Sequence, residues 1–296
     1  MTAVTSAGTI RLADDLVLTR MGYGAIQLAG PMAWGPPKDR NVAKDVLRAV
    51  VDLGITHIDT SDYYGPHTVN ELIRETLHPY PAGLRIVTKV GARRGPDKSW
   101  PAALSRDELV KAVHDNLDHL GLDALDLVNL RMTDSREASA ITGPFSVLAA
   151  LREEGLIRHL GVSNVSAEQV AAARSIAPVV AVQNFYNLAV RADDALVDLC
   201  AEQGIAFVPF FPLGGFRPLQ SGVLDEVATA LGISRMQAAL AWLLQRSPTI
   251  LLIPGTSSAA HLRENAAAAD IELPAEAVAA LNAVGTADRS APWEQR

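Results

Sequence analysis

Short apolar runs alternate with amphipathic stretches along nearly the whole chain. Val42, Val46, Leu47, Val50 and Val51 share one face at helical spacing, as do Leu109, Val113, Leu117 and Leu120, whereas 84–89 and 125–130 are compact apolar runs of strand length. Read in order, the pattern predicts strands at 21–25, 57–59, 84–89, 125–130, 159–163, 179–183, 206–210 and 249–253. Helices are predicted between them: one carrying Val42 to Val51, one over 68–77, one from Ser105, one ending at Glu154, one after Ser166, one from near Asp193, and a pair at 222–231 and 234–244. Ser105 with Glu108 and Ser166 with Gln169 have the spacing of capping boxes. Residues 9–12 and 16–19 read as a hairpin before the alternation begins, and 258–268 and 274–284 as two helices after it ends. Eight alternations without a break in composition predict a single α/β domain over 1–296: a (β/α)8 TIM barrel with an N-terminal β-hairpin and extra C-terminal helices.

One motif favours a rival fold. Gly22-Tyr23-Gly24 follows the first strand and begins a dinucleotide-binding fingerprint, but the third glycine position holds Gln27. Ala29-Gly30-Pro31 and Gly35-Pro36-Pro37 come next, where that fingerprint needs a helix facing the pyrophosphate.

With 296 residues, 49% of them hydrophobic, the chain can bury one large core. The net charge of −7, with no basic run beyond Arg93-Arg94, argues against nucleic acid as a partner. A lone cysteine, Cys200, excludes an intrachain disulfide and fits a reducing compartment. No apolar run approaches the roughly 20 residues of a membrane span, and Met1 to Gly8 has no leader pattern, so a cytoplasmic protein without a membrane partner is expected. The pattern specifies no oligomeric state.

Polar chemistry gathers at the C-terminal ends of the predicted strands. Asp59 closes one strand, Tyr64 follows in its loop, and Lys89 closes the next strand after an apolar run, where an ammonium needs a buried partner. A carboxylate, a phenol and an ammonium there can meet. The ammonium would favour phenolate and so make Tyr64 a better proton donor than its ordinary pKa near 10 allows.

The spacing Asp59-x-x-x-x-Tyr64-Gly65, with Thr88-Lys89 after the next strand, resembles the aldo-keto reductase superfamily, and the likeness continues towards the C-terminus. The resemblance implies the barrel, the catalytic residues Asp59, Tyr64 and Lys89, and Arg131 where the family usually has a histidine. A guanidinium there polarises a carbonyl but exchanges no proton. Cofactor positions carried over are Ser163, Asn164 and Gln183 for the nicotinamide carboxamide, Phe210 for ring stacking, and Leu213, Gly214 and Gly215 for the pyrophosphate. Gly255, Thr256, Ser257, Ser258, His261 and Asn265 fall where the family binds an adenosine 2′-phosphate, so NADPH is expected over NADH. Gly255 stands in place of a common lysine and His261 in place of a frequent arginine. Trp34, Tyr63, His67 and Arg93 are candidate substrate contacts, with Met32, Arg94 and the tail residue Trp293 beside them. No metal is expected, because His114 and His119 lack carboxylate or thiolate companions at ligand spacing. The Asn129-Leu130-Arg131 ending and the glycine-proline loop look most like pyridoxal-reducing members of the superfamily. The expectation is therefore NADPH-dependent reduction of a small aldehyde or ketone, with pyridoxal to pyridoxine first. A Schiff-base lyase acting through Lys89 and a non-catalytic NADPH-binding regulatory subunit are the alternatives.

Overall fold

The computed structural model describes residues 4, 6–133, 135–215, 219 and 221–285; Trp293 and residues 216–218 of the glycine-rich loop lie outside them. A hairpin of β1 (Thr9–Ala13) and β2 (Leu16–Thr19) precedes a seven-stranded parallel sheet. The sheet runs in chain order through β3 (Tyr23–Gly24), β4 (His57–Asp59), β5 (Arg85–Val90), β6 (Leu125–Arg131), β7 (Ile157–Ser163), β8 (Val179–Phe185) and β9 (Ala206–Phe210). Between and after the strands lie α1 (Arg40–Asp52), α2 (Thr68–Leu77), α3 (Arg106–Leu120), α4 (Ala138–Glu153), α5 (Ala167–Arg174), α6 (Asp194–Glu202), α7 (Gly222–Leu231), α8 (Arg235–Arg246), α9 (Ala259–Ala267) and α10 (Ala275–Asn282). Both capping boxes form: Ser105 starts α3 with Glu108, and Ser166 starts α5 with Gln169. Among the described residues no single helix is long and apolar enough to cross a membrane.

The eighth strand expected at 249–253 is not a regular strand. That segment instead bridges both edges of the sheet one residue at a time. Leu251 N donates to Phe207 O on one side, and on the other Leu252 N donates to Arg20 O while Gly22 N donates to Leu252 O, each near 3 Å. Isolated parallel bridges join Met21 to Leu252, Gly24 to Gly255, and Phe207 to Ile250, which closes the ring. With β3 only two residues long, consecutive ladder pairs have no room to form.

The glycines of the rejected fingerprint have their reason at this seam. A Cβ on Gly22 would lie 2.2 Å from the His57 ring, and one on Gly24 would lie 2.5 Å from Ile253 O. The outer core between sheet and helices is continuous. A smaller cluster fills the barrel, where Leu16 and Leu18 of the hairpin pack against Val87, Leu127, Val208 and Leu251, so the hairpin plugs one end.

Candidate active site

Asp59 and Lys89 end adjacent strands, β4 and β5, and each is 3% exposed. Lys89 Nζ donates to Asp59 Oδ1 at 2.6 Å and to Thr60 O at 2.9 Å, so the ammonium forced into the interior is neutralised and hydrogen-bonded. Gln183 Nε2, from β8, donates to the other carboxylate oxygen at 2.8 Å. Tyr64 lies over this pair, with Lys89 Nζ 5.2 Å from its ring centre.

The electrostatics of Tyr64 differ from the sequence expectation. Burial drives its pKa far above the ordinary phenol range, Asp59 raises it further, and the cation that pulls it down is Arg131. Lys89 has its charge matched by Asp59, leaving Arg131 to favour the phenolate. Tyr64 is thus held as the neutral phenol, the form a proton donor needs. Arg131 lies with its guanidinium carbon 5.4 Å from the Phe210 ring centre, and its Nε has no hydrogen-bond partner among the described residues.

A buried polar ladder braces the two strand ends. Thr60 Oγ1 donates to Asn70 Oδ1 at 2.8 Å, Asn70 Nδ2 to Asn116 Oδ1 at 3.0 Å, and Thr88 Oγ1 to the same Asn116 oxygen at 2.5 Å. Thr60 and Thr88 adjoin Asp59 and Lys89, so α2 and α3 lock the Asp59–Lys89 pair through fully buried amides. Inside the barrel, Asp59, Gln183, His57 and Asn129 line one cavity of about 10 Å³, room for a single water at most. Burial pushes His57 down to about 4, so the imidazole is neutral.

Of the cofactor candidates, Ser163 Oγ and Gln183 Oε1 are buried polar atoms without a partner among the described residues, at paired positions of neighbouring strands. A bound amide satisfies such atoms, so the residues fit a nicotinamide carboxamide. Asn164, at φ +58, is already engaged: its Nδ2 donates to Met132 O at 2.8 Å and its Oδ1 accepts from Arg136. Phe210 stacks on Phe185 with centroids 5.7 Å apart. Gly214 and Gly215 after Leu213 take φ of +93 and +71, the region glycine alone enters freely. Past the seam, Ser258 caps α9, Thr256 Oγ1 accepts from Ser258 N, and Ser257 and His261 are exposed, while Asn265 is buried. A Cβ on Gly255 would meet Gly24 O at 2.8 Å, so the backbone approach at the seam leaves little room for a side chain there.

The substrate candidates divide. Tyr63 contacts Tyr64 and Trp100 edge-on, at 5.4 and 5.5 Å. Trp34 lies 5.3 Å from the Arg94 guanidinium carbon, and Trp100 is nearer still at 3.7 Å. Arg94 also donates to the carbonyls of Met32, Ala33 and Lys98, tying two loops together. Arg93 instead reaches Glu108 at 3.7 Å and is exposed. His67 turns to Asp62 and His119. Of the arginine pair, the structure gives the organising place to Arg94, two of whose carbonyl partners, Met32 and Ala33, lie too far along the chain to be read from spacing.

The aldo/keto reductase family model matches residues 20–286. The chain is 58% identical to pyridoxine 4-dehydrogenase of Escherichia coli over 94% of this chain and 99% of that one, and 38% identical to an uncharacterized oxidoreductase of Schizosaccharomyces pombe over 98% and 94%. Among solved structures, a thermostable aldo-keto reductase in complex with epalrestat superposes at TM-score 0.80 and 29% identity, covering 94% of this chain and 99% of that one. An aldo/keto reductase from Klebsiella pneumoniae in complex with NADP and acetate superposes at 0.76 and 26%, covering 93% and 94%. From the family match and the near full-length relative together, this chain belongs to the aldo/keto reductase family.

Proposed function

We propose that this protein reduces pyridoxal to pyridoxine with NADPH as hydride source. The observation that carries the substrate is the 58% identity, over nearly the whole of both chains, with a pyridoxine 4-dehydrogenase. The chemistry rests on the site itself. NADPH when bound supplies the hydride that adds to the carbonyl carbon. Ser163 and Gln183 would hold its carboxamide, Phe210 its ring face, and the backbone of Leu213 to Gly215 its pyrophosphate. Tyr64 then gives its phenolic proton to the carbonyl oxygen, and Arg131 stabilises the charge that develops there. Asp59 and Lys89 position the phenol.

Arg131 donates without titrating, which suits an aldehyde carrying a phenolic oxygen beside the carbonyl. Tyr63, Trp34 and Trp100 provide flat faces for a small aromatic ring. Preference for NADPH over NADH rests on Ser257, Ser258 and His261 at the start of α9, donors that suit a phosphate. The lyase alternative is disfavoured because Lys89 Nζ is committed to Asp59 and Thr60 O. Purified protein with NADPH, offered pyridoxal and a panel of simple aromatic aldehydes, tests the assignment. Good turnover of the panel with pyridoxal untouched at millimolar concentration would remove the substrate while leaving the reductase.

A further inference from the structure

Asp62 and His67, from the loop after β4, meet His119, from the last turn of α3. Asp62 Oδ2 is 2.7 Å from His67 Nδ1 and Asp62 Oδ1 is 2.8 Å from His119 Nδ1, while the two imidazole rings lie 4.5 Å apart. One ligand atom from each residue falls within 4.8 Å of the other two.

Three independent features surround this cluster. First, the carboxylate is fixed from behind: Asn70 Nδ2 is 3.3 Å from Asp62 Oδ1, and Asn70 itself is locked between Thr60 and Asn116. Such outer partners are what orient ligands at metal centres. Second, the local field favours a cation. His119 lies at the carbonyl end of α3, where the helix dipole favours positive charge. Third, His67 adopts φ +66, rare for a residue with a side chain, and its N–H donates to Asp62 O at 2.7 Å, so the loop curls back to bring imidazole onto carboxylate.

We propose that Asp62, His67 and His119 form a binding site for a divalent transition-metal cation of the zinc type. Two imidazole nitrogens and one carboxylate oxygen suit zinc, nickel or cobalt better than magnesium or calcium, which want oxygen throughout. Three protein ligands leave a fourth position for solvent, as in open zinc sites. Each neutral imidazole would carry its proton on Nε2, freeing Nδ1 for the metal. The ligand atoms would open from 2.7 and 2.8 Å to the roughly 3.3 Å edge of a tetrahedron with bonds near 2.0 Å. With its side chain 48% exposed, His67 gives a path of entry. The site stands apart from the catalytic groups but shares their loop, so a bound cation would fasten the segment carrying Tyr63 and Tyr64 to α3. It also revises the sequence expectation of no metal, because His119 finds its carboxylate 57 positions away.

The test is titration of the full-length, chelator-treated protein with zinc chloride by calorimetry and with cobalt chloride by visible absorption. One zinc per chain and the absorption bands of four-coordinate cobalt are expected. His119→Gln, which keeps a donor for Asp62, should weaken binding at least tenfold, and Asp62→Asn should do the same. His114→Gln, on an exposed position of the same helix, should bind as the unaltered protein does. No saturable binding by the unaltered protein, or binding that survives both His119→Gln and Asp62→Asn in folded variants, would overturn the site.

Discussion

The guanidinium carbon of Arg131 lies 5.4 Å from the centre of the Phe210 ring, so the residue proposed to polarise a carbonyl rests on the residue proposed to stack on the nicotinamide. Cation and ring attract one another at this separation. Arg131 is also the cation that draws the pKa of Tyr64 down. Arg131→Met should therefore lower kcat/KM for the aldehyde, since the charge that develops on its oxygen loses a nearby cation. The cofactor dissociation constant should stay within a few fold. Kinetics with the aldehyde, beside a fluorescence titration and a melting curve, separate this effect from a loss of folding.

Tyr64→Phe removes the phenol that lies beside the Asp59–Lys89 pair. Turnover should fall by at least about 100-fold, with cofactor affinity nearly unchanged. Near-full turnover at saturating cofactor would mean that another group supplies the proton.

Placing at position 255 the lysine that the family resemblance leads one to expect looks like a way to strengthen the grip on a 2′-phosphate, yet the structure predicts the opposite. A Cβ there would press to 2.8 Å from Gly24 O, a backbone atom that moves only if the seam moves. Gly255→Lys should lower Tm and give no gain in kcat/KM with NADPH. His261→Ala should instead reduce kcat/KM with NADPH several-fold and leave NADH unaffected. Equal effects on both cofactors would remove His261 from the phosphate site.

Arg94→Ala should raise KM for the aldehyde more than it lowers kcat, because Arg94 holds Trp34, Trp100 and the carbonyls of two loops without touching the reacting groups. A change in kcat alone would contradict a role in shaping the mouth.

His57 makes stability sensitive to acid. In the folded protein it stays neutral down to about 4, whereas in the unfolded chain it titrates near 6.5, so the unfolded state takes up the proton first as pH falls. Its contribution should be flat above pH 6.5 and decline between 6.5 and about 4, by about 3 kcal/mol at most. Across this window the native protein should lose stability relative to His57→Leu, whereas above pH 6.5 the difference between the two should stay constant.

Much of the framework was legible because it is local. Strand His57–Asp59, helices Thr68–Leu77 and Gly222–Leu231, and strand Ala206–Phe210 have the ends that periodicity and turn residues predict, and both capping boxes are short-range signals. Asp59 and Lys89 could be paired because a charge ending an apolar run demands a partner. What escaped was non-local or concealed by pattern. Asn116 sits between Val113 and Leu117 on an apolar helix face and reads as an interruption, yet it is the centre of the ladder joining Asn70 to Thr88. The gain in acidity expected of Tyr64 fails because spacing does not show its burial, which together with Asp59 raises the phenol's pKa against the pull of Arg131. Arg93 and Arg94 are equivalent in sequence and separate only through the carbonyls that Arg94 finds. The closing strand was expected to be regular because its apolar run has strand length; the shortness of its neighbour Tyr23–Gly24 is what denies it a ladder.

That sparse seam also ties assembly of the ring to its ligand. The segment that completes the ring through single bridges at Met21, Gly24 and Phe207 continues directly into Thr256, Ser257 and the first turn of α9, where the adenosine end of the cofactor is proposed to lie. Such a joint has few hydrogen bonds of its own, so a ligand spanning it acts as a clasp and favours the closed ring by mass action. The melting temperature should climb with cofactor concentration, and amide protons around Leu252 should be the ones whose hydrogen exchange slows most.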